Sequence, residues 1–433
     1  MLAMLLKMNN ICRSYTIKYM KKLQQRQSSM KTEQKNTKVA NDVINYLQNI
    51  PEYTGLLENL PKSLLRKYRT PENMYLINKN TADKILNTLK PHIRPENPII
   101  EVNPGMGFLS EKLITNLNNN LYMFETSNHF LPQLSRLKDE HPHKVECKVA
   151  DFFGMWKLAF QDKMDNGNRI KELLGDLSTH DNNRIVKIIG AMPGLNFIKH
   201  LINNIVFHDM NNHLGKPDLF ITMPGYNYEF LTDSQVQTGK HKSLPALFQL
   251  LFDFKVLGSV PKAHFLPWTY PPNIKKLSVM DECNMYLVNI TQKDKLPCQS
   301  EYLPLLWYFF KPHVFSMSTK VIPMLEQWIP GCGVWLISGQ DPPDTNKNIS
   351  PGEDDAELPH MTIFTEFGDL TLKQKVTVFK RFVSWPEFEQ SPFKVTMENN
   401  LPKFVLHLDD DGKDNIGTHI EEDMEHSDTE MDA

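Results

Sequence analysis

At 433 residues the chain has room for two domains, or for one large domain with extensions, and for an ample core. Its 40% apolar and 23% charged residues are ordinary for a globular protein and exclude a fibrous or wholly disordered chain. Five cysteines (Cys12, Cys147, Cys283, Cys298, Cys332) form no Cys-x-x-Cys pair, which argues against a structural zinc site and a disulfide framework. No apolar run approaches the roughly 18 residues needed to span a bilayer, so a soluble protein among reduced thiols is expected, with no membrane partner.

The net charge of −3 conceals two opposed ends. From Met1 to Thr32 there is no acid, while Lys7, Arg13, Lys18, Lys21, Lys22, Arg26 and Lys31 are basic and Leu2, Leu5, Leu6, Ile11 and Tyr15 are interspersed. That composition fits a mitochondrial presequence over residues 1–35, or a disordered basic arm. From Asp409 acids dominate, so residues 409–433 read as a disordered acidic tail.

Val43, Ile44, Leu47 and Ile50 recur with helical spacing between Val39 and Leu60. Pro61 to Arg69 then places Lys62, Arg66, Lys67 and Arg69 together, a solvated helix face or a set of phosphate contacts. After Asn73-Met-Tyr-Leu-Ile77, Thr81 opens a second amphipathic helix carrying Ile85, Leu86 and Leu89.

Ile99, Ile100 and Val102 predict a strand buried on both faces. Pro104, Gly105 and Gly107 turn the chain, and Leu109, Leu113 and Leu117 predict a helix behind it. Strand, glycine turn and helix let a nucleotide-like ligand approach the backbone at a helix N-terminus, although such a turn also occurs without a ligand. Ser110 stands where a dinucleotide site wants its third glycine. Glu101-x-x-x-Gly105-x-Gly107 therefore suits S-adenosylmethionine better, since that cofactor has no phosphate to cradle.

Further strands are predicted at Leu121 to Glu125, Val145 to Ala150, Arg184 to Gly190 and Pro217 to Pro224. Four of the five runs precede helix-compatible segments, the pattern of a doubly wound, Rossmann-like α/β sheet. Gln161 to Asn183 is polar and reads as an insertion loop. The Pro-rich stretch Leu266 to Pro272 marks a boundary, dividing the α/β domain at 36–270 from a smaller, mainly helical domain at 271–408. Helices are expected there at Leu303 to Phe310, Val321 to Trp328 and Leu372 to Val383, with an acidic insertion from Asp341 to Asp355.

Parallel strand ends gather at one edge of a sheet, where ligands bind. Glu125, at the tip of the second strand, can accept both ribose hydroxyls of a nucleoside. Asp151 can accept an adenine amine, with Phe152 or Phe153 packing on the ring; a helix-capping Asp is the alternative for that residue.

In this order the motifs resemble the rRNA adenine N6-dimethyltransferases. Leu76 ahead of a helix, Glu101-Val-Asn-Pro-Gly-Met-Gly107, Phe124-Glu125, Asp151-Phe-Phe153 and Gly190-x-x-Pro193 follow the family pattern. Met223-Pro-Gly-Tyr-Asn-Tyr-Glu-Phe230 and Phe252 to Pro261 extend it, and Asn-Pro-Gly, Asp-Phe-Phe and the basic start are similar to the mitochondrial branch. The resemblance implies that Leu76, Gly105, Glu125 and Asp151 contact S-adenosylmethionine. It also marks a departure. Family members carry Asn-(Leu/Pro)-Pro-(Tyr/Phe) after the fourth strand, to hold and stack a flipped adenine, whereas this chain has Ala191-Met-Pro-Gly194. Asn196 and Phe197 are the only nearby substitutes, and no catalytic residue is assigned.

For such a chain the resemblance implies a monomeric initiation factor in the mitochondrial matrix or nucleoid, joining the mitochondrial RNA polymerase at promoter DNA, with an S-adenosylmethionine pocket that is either used or vestigial. Candidate phosphate contacts are the 62–69 cluster, Lys240, Lys242, Lys275, Lys276 and Lys373 to Arg381. A working dimethyltransferase of mitochondrial small-subunit rRNA, or an adaptor binding neither cofactor nor nucleic acid, are the competing expectations.

Overall fold

A computed structural model describes residues 40–53, 55–57, 60–179, 185–207, 214–232, 243–270, 280–311, 316–338 and 356–406. The expected presequence, the insertion at 341–355, the acidic tail and Lys240, Lys242, Lys275 and Lys276 lie outside the described residues. Contacts divide the chain into two compact units, Met1–Arg69 with Leu266–Tyr270, and Thr70–Phe265 with Pro271–Ala433.

In the first unit, helix α1 (Asn41–Asn49) buries Val43 and Leu47, two members of the periodic set. Residues 67–68 and 268–269 form a two-stranded parallel ladder, and Tyr46 lies edge-on to Trp268.

The second unit is built on seven strands: β1 (Ile99–Val102), β2 (Leu121–Glu125), β3 (Val145–Val149), β4 (Ile185–Ala191), β5 (Lys216–Pro224), β6 (Phe252–Pro261) and β7 (Asn284–Gln292). Their order is β3-β2-β1-β4-β5-β7-β6. The first five are parallel, with Ile99 opposite both Leu121 and Lys187, and β7 runs antiparallel between β5 and β6. The fold is therefore a doubly wound α/β sheet. Strand order reverses between β1 and β4, so a crevice opens at the carboxyl ends of those two strands.

Each predicted parallel strand is followed by a helix, in sequence α3 (Phe108–Asn116), α4 (Leu131–Glu140), α5 (Met155–Asp165), α7 (Asn196–Val206) and α8 (Gly225–Thr232). Helix α2 (Lys79–Leu89) precedes β1; the Asn78 side chain accepts from the Thr81 amide at 2.8 Å, which fixes its start.

Two expectations change. The stretch from Gln161 is not a loop, because α5 runs to Asp165 and α6 (Arg169–Leu174) follows. Asp162 is buried and accepts from the amides of Arg169 and Ile170, both at 3.0 Å, tying the two helices together. Ile170, Leu174 and Leu177 then enter the core. The sheet also continues past the break expected at 270, since β7 begins at Asn284.

The mainly helical C-terminal region starts after β7. It contains α10 (Leu303–Phe309), α11 (Val321–Trp328), α12 (Cys332–Ser338), α13 (Leu372–Val383) and α14 (Pro392–Leu406), with α9 (Ser243–Leu251) preceding β6. Phe309, Phe379, Phe382 and Phe393 interlock there at centroid separations of 5.2–6.4 Å, and one buried cluster runs from β1 and β4 into these helices. Aromatic edge-to-face packing of this kind stabilises beyond the area it buries.

Candidate functional site at the carboxyl edge of the sheet

The turn after β1 bends through backbone that glycine favours. Gly105 has φ +59°, and a Cβ there would meet Tyr75 Cδ1 at 2.8 Å, so glycine is required both by conformation and by this close approach. Asn103 is also left-handed, at φ +54°, a conformation asparagine tolerates better than most residues. Its amide donates to Phe124 O at 2.8 Å and its side chain to Asn73 Oδ1 at 3.0 Å.

Glu125 ends β2, fully buried. Its Oε2 accepts from the Gly105 amide at 2.9 Å, and its Oε1 accepts from the Ser127 amide at 2.7 Å and the Tyr75 hydroxyl at 3.2 Å. Burial holds this carboxyl above the usual range despite the three donors. Burial, and then the neighbouring Glu125, likewise raise the Tyr75 phenol. Asn73 Nδ2 and the Tyr75 hydroxyl both reach Thr126 Oγ1 at 3.0 Å. The segment carrying Leu76 is thereby fastened across the glycine turn, and Leu76 itself is nearly buried.

Glu101, in the middle of β1, is almost fully enclosed, and its Oε2 has no hydrogen-bond partner. Burial pushes its pKa up to about 7, Ser110 beside it lowers it, and Glu125 adds to the rise; Ser110 Oγ is itself buried without a hydrogen-bond partner.

Asp151 follows β3 and is partly exposed. Its Oδ1 accepts from the Gly154 amide at 2.8 Å, and Lys157 Nζ lies 3.5 Å from Oδ2. Asp151 thus closes the turn ahead of α5, whose N-cap is Gly154, and its second oxygen faces a cation. The aromatic expectation fails for Phe152, which is wholly buried against Phe124 and Phe197 at 4.9 and 5.8 Å. Phe153 is also turned inward, 5.2 Å from Phe197. Both consecutive rings lie in the turn into α5, outside any strand, and pack inward against Phe197.

After β4, Ala191 is buried and Gly194 is exposed, and a Cβ on Gly194 would meet nothing within 4 Å. Asn227, buried at the start of α8, donates to Pro193 O at 2.8 Å and pins the turn. Phe197 lies in the core, so it offers no stacking face at the surface; Asn196 is exposed.

Gly105, Glu125, Asp151 and the 191–194 turn therefore share one edge, as the strand ends predicted, with the Leu76 segment fastened to it. The sequence reading quoted Asn73 and Tyr75 in the Asn73-Met-Tyr-Leu-Ile77 run and Asn103 in the Asn-Pro-Gly turn without giving them a role, and it missed Thr126. Of the proposed phosphate contacts, Lys375 is excluded. It is buried with its ammonium 4.8 Å from the Phe367 ring and 3.9 Å from Met317 Sδ, and burial lowers its pKa to about 8. No cluster of three or more metal-binding side chains occurs among the described residues.

The donor set fits S-adenosylmethionine in kind. The orphaned Glu101 oxygen can accept from a ligand ammonium, the left-handed turn bares backbone, and Glu125 already accepts one hydroxyl. That hydroxyl belongs to Tyr75.

The profile of the ribosomal RNA adenine dimethylase family matches residues 67–332. The chain is 33% identical over 408 residues to "Dimethyladenosine transferase 2, mitochondrial" of Drosophila melanogaster, covering 86% of this chain and 89% of that protein. It is 24% identical over 200 residues to ribosomal RNA small subunit methyltransferase A of a Sulfurihydrogenibium species, covering 46% and 66%. A solved dimethyladenosine transferase from Plasmodium falciparum aligns with a TM-score of 0.41 at 13% identity, over 71% of this chain and 97% of that one.

Proposed function

Since the chain belongs to the ribosomal RNA adenine dimethylase family, we propose that it keeps the family's nucleic-acid-binding fold without its methyl transfer. It then acts as a mitochondrial transcription initiation factor, a monomer working with the mitochondrial RNA polymerase in opening promoter DNA. The observation that carries the loss of catalysis is the turn after β4. Methyl transfer requires the target amine to be held in line with the sulfonium methyl, and misplacement by about 1 Å can cost 10²-fold. Ala191 has no side-chain acceptor, Gly194 has no ring, and Phe197 is buried. The mitochondrial location is supported by the Drosophila relative's name. The transcription role rests on the likeness of the Asn-Pro-Gly and Asp-Phe-Phe motifs to the mitochondrial branch.

S-adenosylmethionine, when bound, would supply an electrophilic methyl group. Gly105 would offer backbone, Glu125 would orient the ribose, Asp151 would accept the adenine amine, and Leu76 would cover the base. A second reading, an active rRNA dimethyltransferase, is favoured by this retained pocket and by the relative's name. The discriminating experiment is specific initiation by purified polymerase on a promoter template, with and without the full chain. Initiation that depends on the chain supports the proposal, and initiation indifferent to it contradicts the proposal.

A further inference from the structure

In the first unit, the basic segment and the aromatic segment meet as parallel strands, with Lys67 opposite Trp268 and Tyr68 opposite Thr269. The Tyr270 amide donates to Tyr68 O at 2.9 Å, which extends the register and sets Arg69 beside Tyr270. Residues in register on parallel strands project to the same face, and so do alternate residues along a strand. One face of this ladder therefore presents Lys67, Arg69, Trp268 and Tyr270, a cation beside a ring twice over.

The first pair is held in place. Lys67 Nζ lies 5.8 Å from the centroid of the Trp268 ring and is ion-paired with Asp42, while Tyr46 meets Trp268 edge-on at 5.2 Å. The second pair is open to solvent. Arg69 is exposed and Tyr270 is 50% exposed. Lys62 is exposed on the preceding turn, which Tyr68 secures from the other face by donating to Ser63 O at 3.0 Å.

We propose that this face binds single-stranded nucleic acid, with Trp268 and Tyr270 stacking on successive bases and Lys62 and Arg69 contacting phosphates. The inference rests on the reading of the chain as a nucleic-acid-binding protein. Alternate positions on a strand stand about 6.6 Å apart, roughly twice the 3.4 Å step between stacked bases of a duplex strand. Bases seated on both rings are therefore unstacked from each other, a condition a duplex does not meet and a single strand does. Stacking on aromatic rings is tolerant of sequence, and the cations add an attraction that salt weakens.

The test is fluorescence anisotropy of the full chain with labelled oligo(dT), oligo(U) and a matched duplex, across a range of salt. The unmutated chain is expected to prefer single strands, and the two oligonucleotides separate DNA from RNA as the source. Tyr270→Ala should weaken single-strand binding about tenfold and leave the duplex unaffected. Arg69→Ala should lower the salt slope by about one. Trp268→Phe, which keeps a ring against Tyr46, guards against misfolding and should weaken binding less than Tyr270→Ala. Full binding by the Tyr270 and Arg69 variants would overturn this surface while leaving the nucleic-acid reading intact. Equal losses on single strand and duplex, or displacement by polyglutamate with the same dependence on Tyr270, would overturn the stacking. No binding of any nucleic acid by the unmutated chain would overturn both this surface and the initiation-factor reading.

Discussion

Tyr75 donates its hydroxyl to Glu125 Oε1 at 3.2 Å across fifty positions of sequence, and its ring closes against Gly105. The protein thus carries its own hydroxyl donor on the carboxylate proposed to orient a ribose. A ligand entering here exchanges one hydroxyl–carboxylate bond for another, so its net gain is small. Tyr75→Phe removes the competitor and should tighten S-adenosylmethionine binding about three- to tenfold, whereas Glu125→Ala should weaken it. Calorimetry measures both. Unchanged or weaker binding by Tyr75→Phe would show that the phenol supports the ligand rather than opposing it.

Glu101 gives the sheet a pH dependence. Its folded pKa is raised to about 7 from an ordinary 4.5 by burial. The folded state therefore holds the proton more tightly than the unfolded chain. Its contribution is fully present below about pH 4.5 and is lost as pH rises through about 7. Glu101→Gln, neutral at every pH, should be more stable than the unmutated protein at pH 8, by on the order of 1–3 kcal/mol, and lose that advantage at pH 5. Denaturant unfolding at the two pH values decides it, and an equal difference at both would refute the assignment.

Asn227 holds the turn after β4 through a single bond to Pro193 O. Asn227→Ala leaves a buried carbonyl without its donor and should cost roughly 1–3 kcal/mol. Thermal unfolding should register a lower midpoint. If the midpoint does not move, the turn is held by its backbone alone.

Gly194 is exposed, is not left-handed, and has open space where a Cβ would go. Gly194→Tyr should therefore change stability by no more than about 0.5 kcal/mol, and promoter-dependent initiation should persist in the Ala191→Asn, Gly194→Tyr double variant. Loss of initiation in a folded double variant would mean that the turn serves that function directly.

The sequence made β1 to β5 legible because each is a short apolar run bounded by turn residues, and α10, α11 and α13 because their periodicity is strong. Strand β7 was hidden by its own geometry. Its buried side changes along its length, with Met285 and Leu287 buried on one face and Val288 and Ile290 on the other, so no single alternation marks it. Helix α6 was hidden because Asp162, which organises it, counts as polar in any pattern although it is buried. The acids and glycines of the site were readable from strand ends. Tyr75 was not, since its role follows from a contact that only the folded chain creates, and Phe152 was misjudged because a ring beside a functional Asp can face either way.

The measurement that bears most directly on the central claim is transfer of a labelled methyl group from S-adenosylmethionine to a small-subunit rRNA stem-loop by the unmutated protein. With Ala191 and Gly194 in the turn and Phe197 in the core, nothing described there fixes the amine or stacks the base, and transfer at the level of a no-protein control is predicted. Robust turnover, lost on substitution of the exposed Asn196, would contradict the account and restore the enzyme reading.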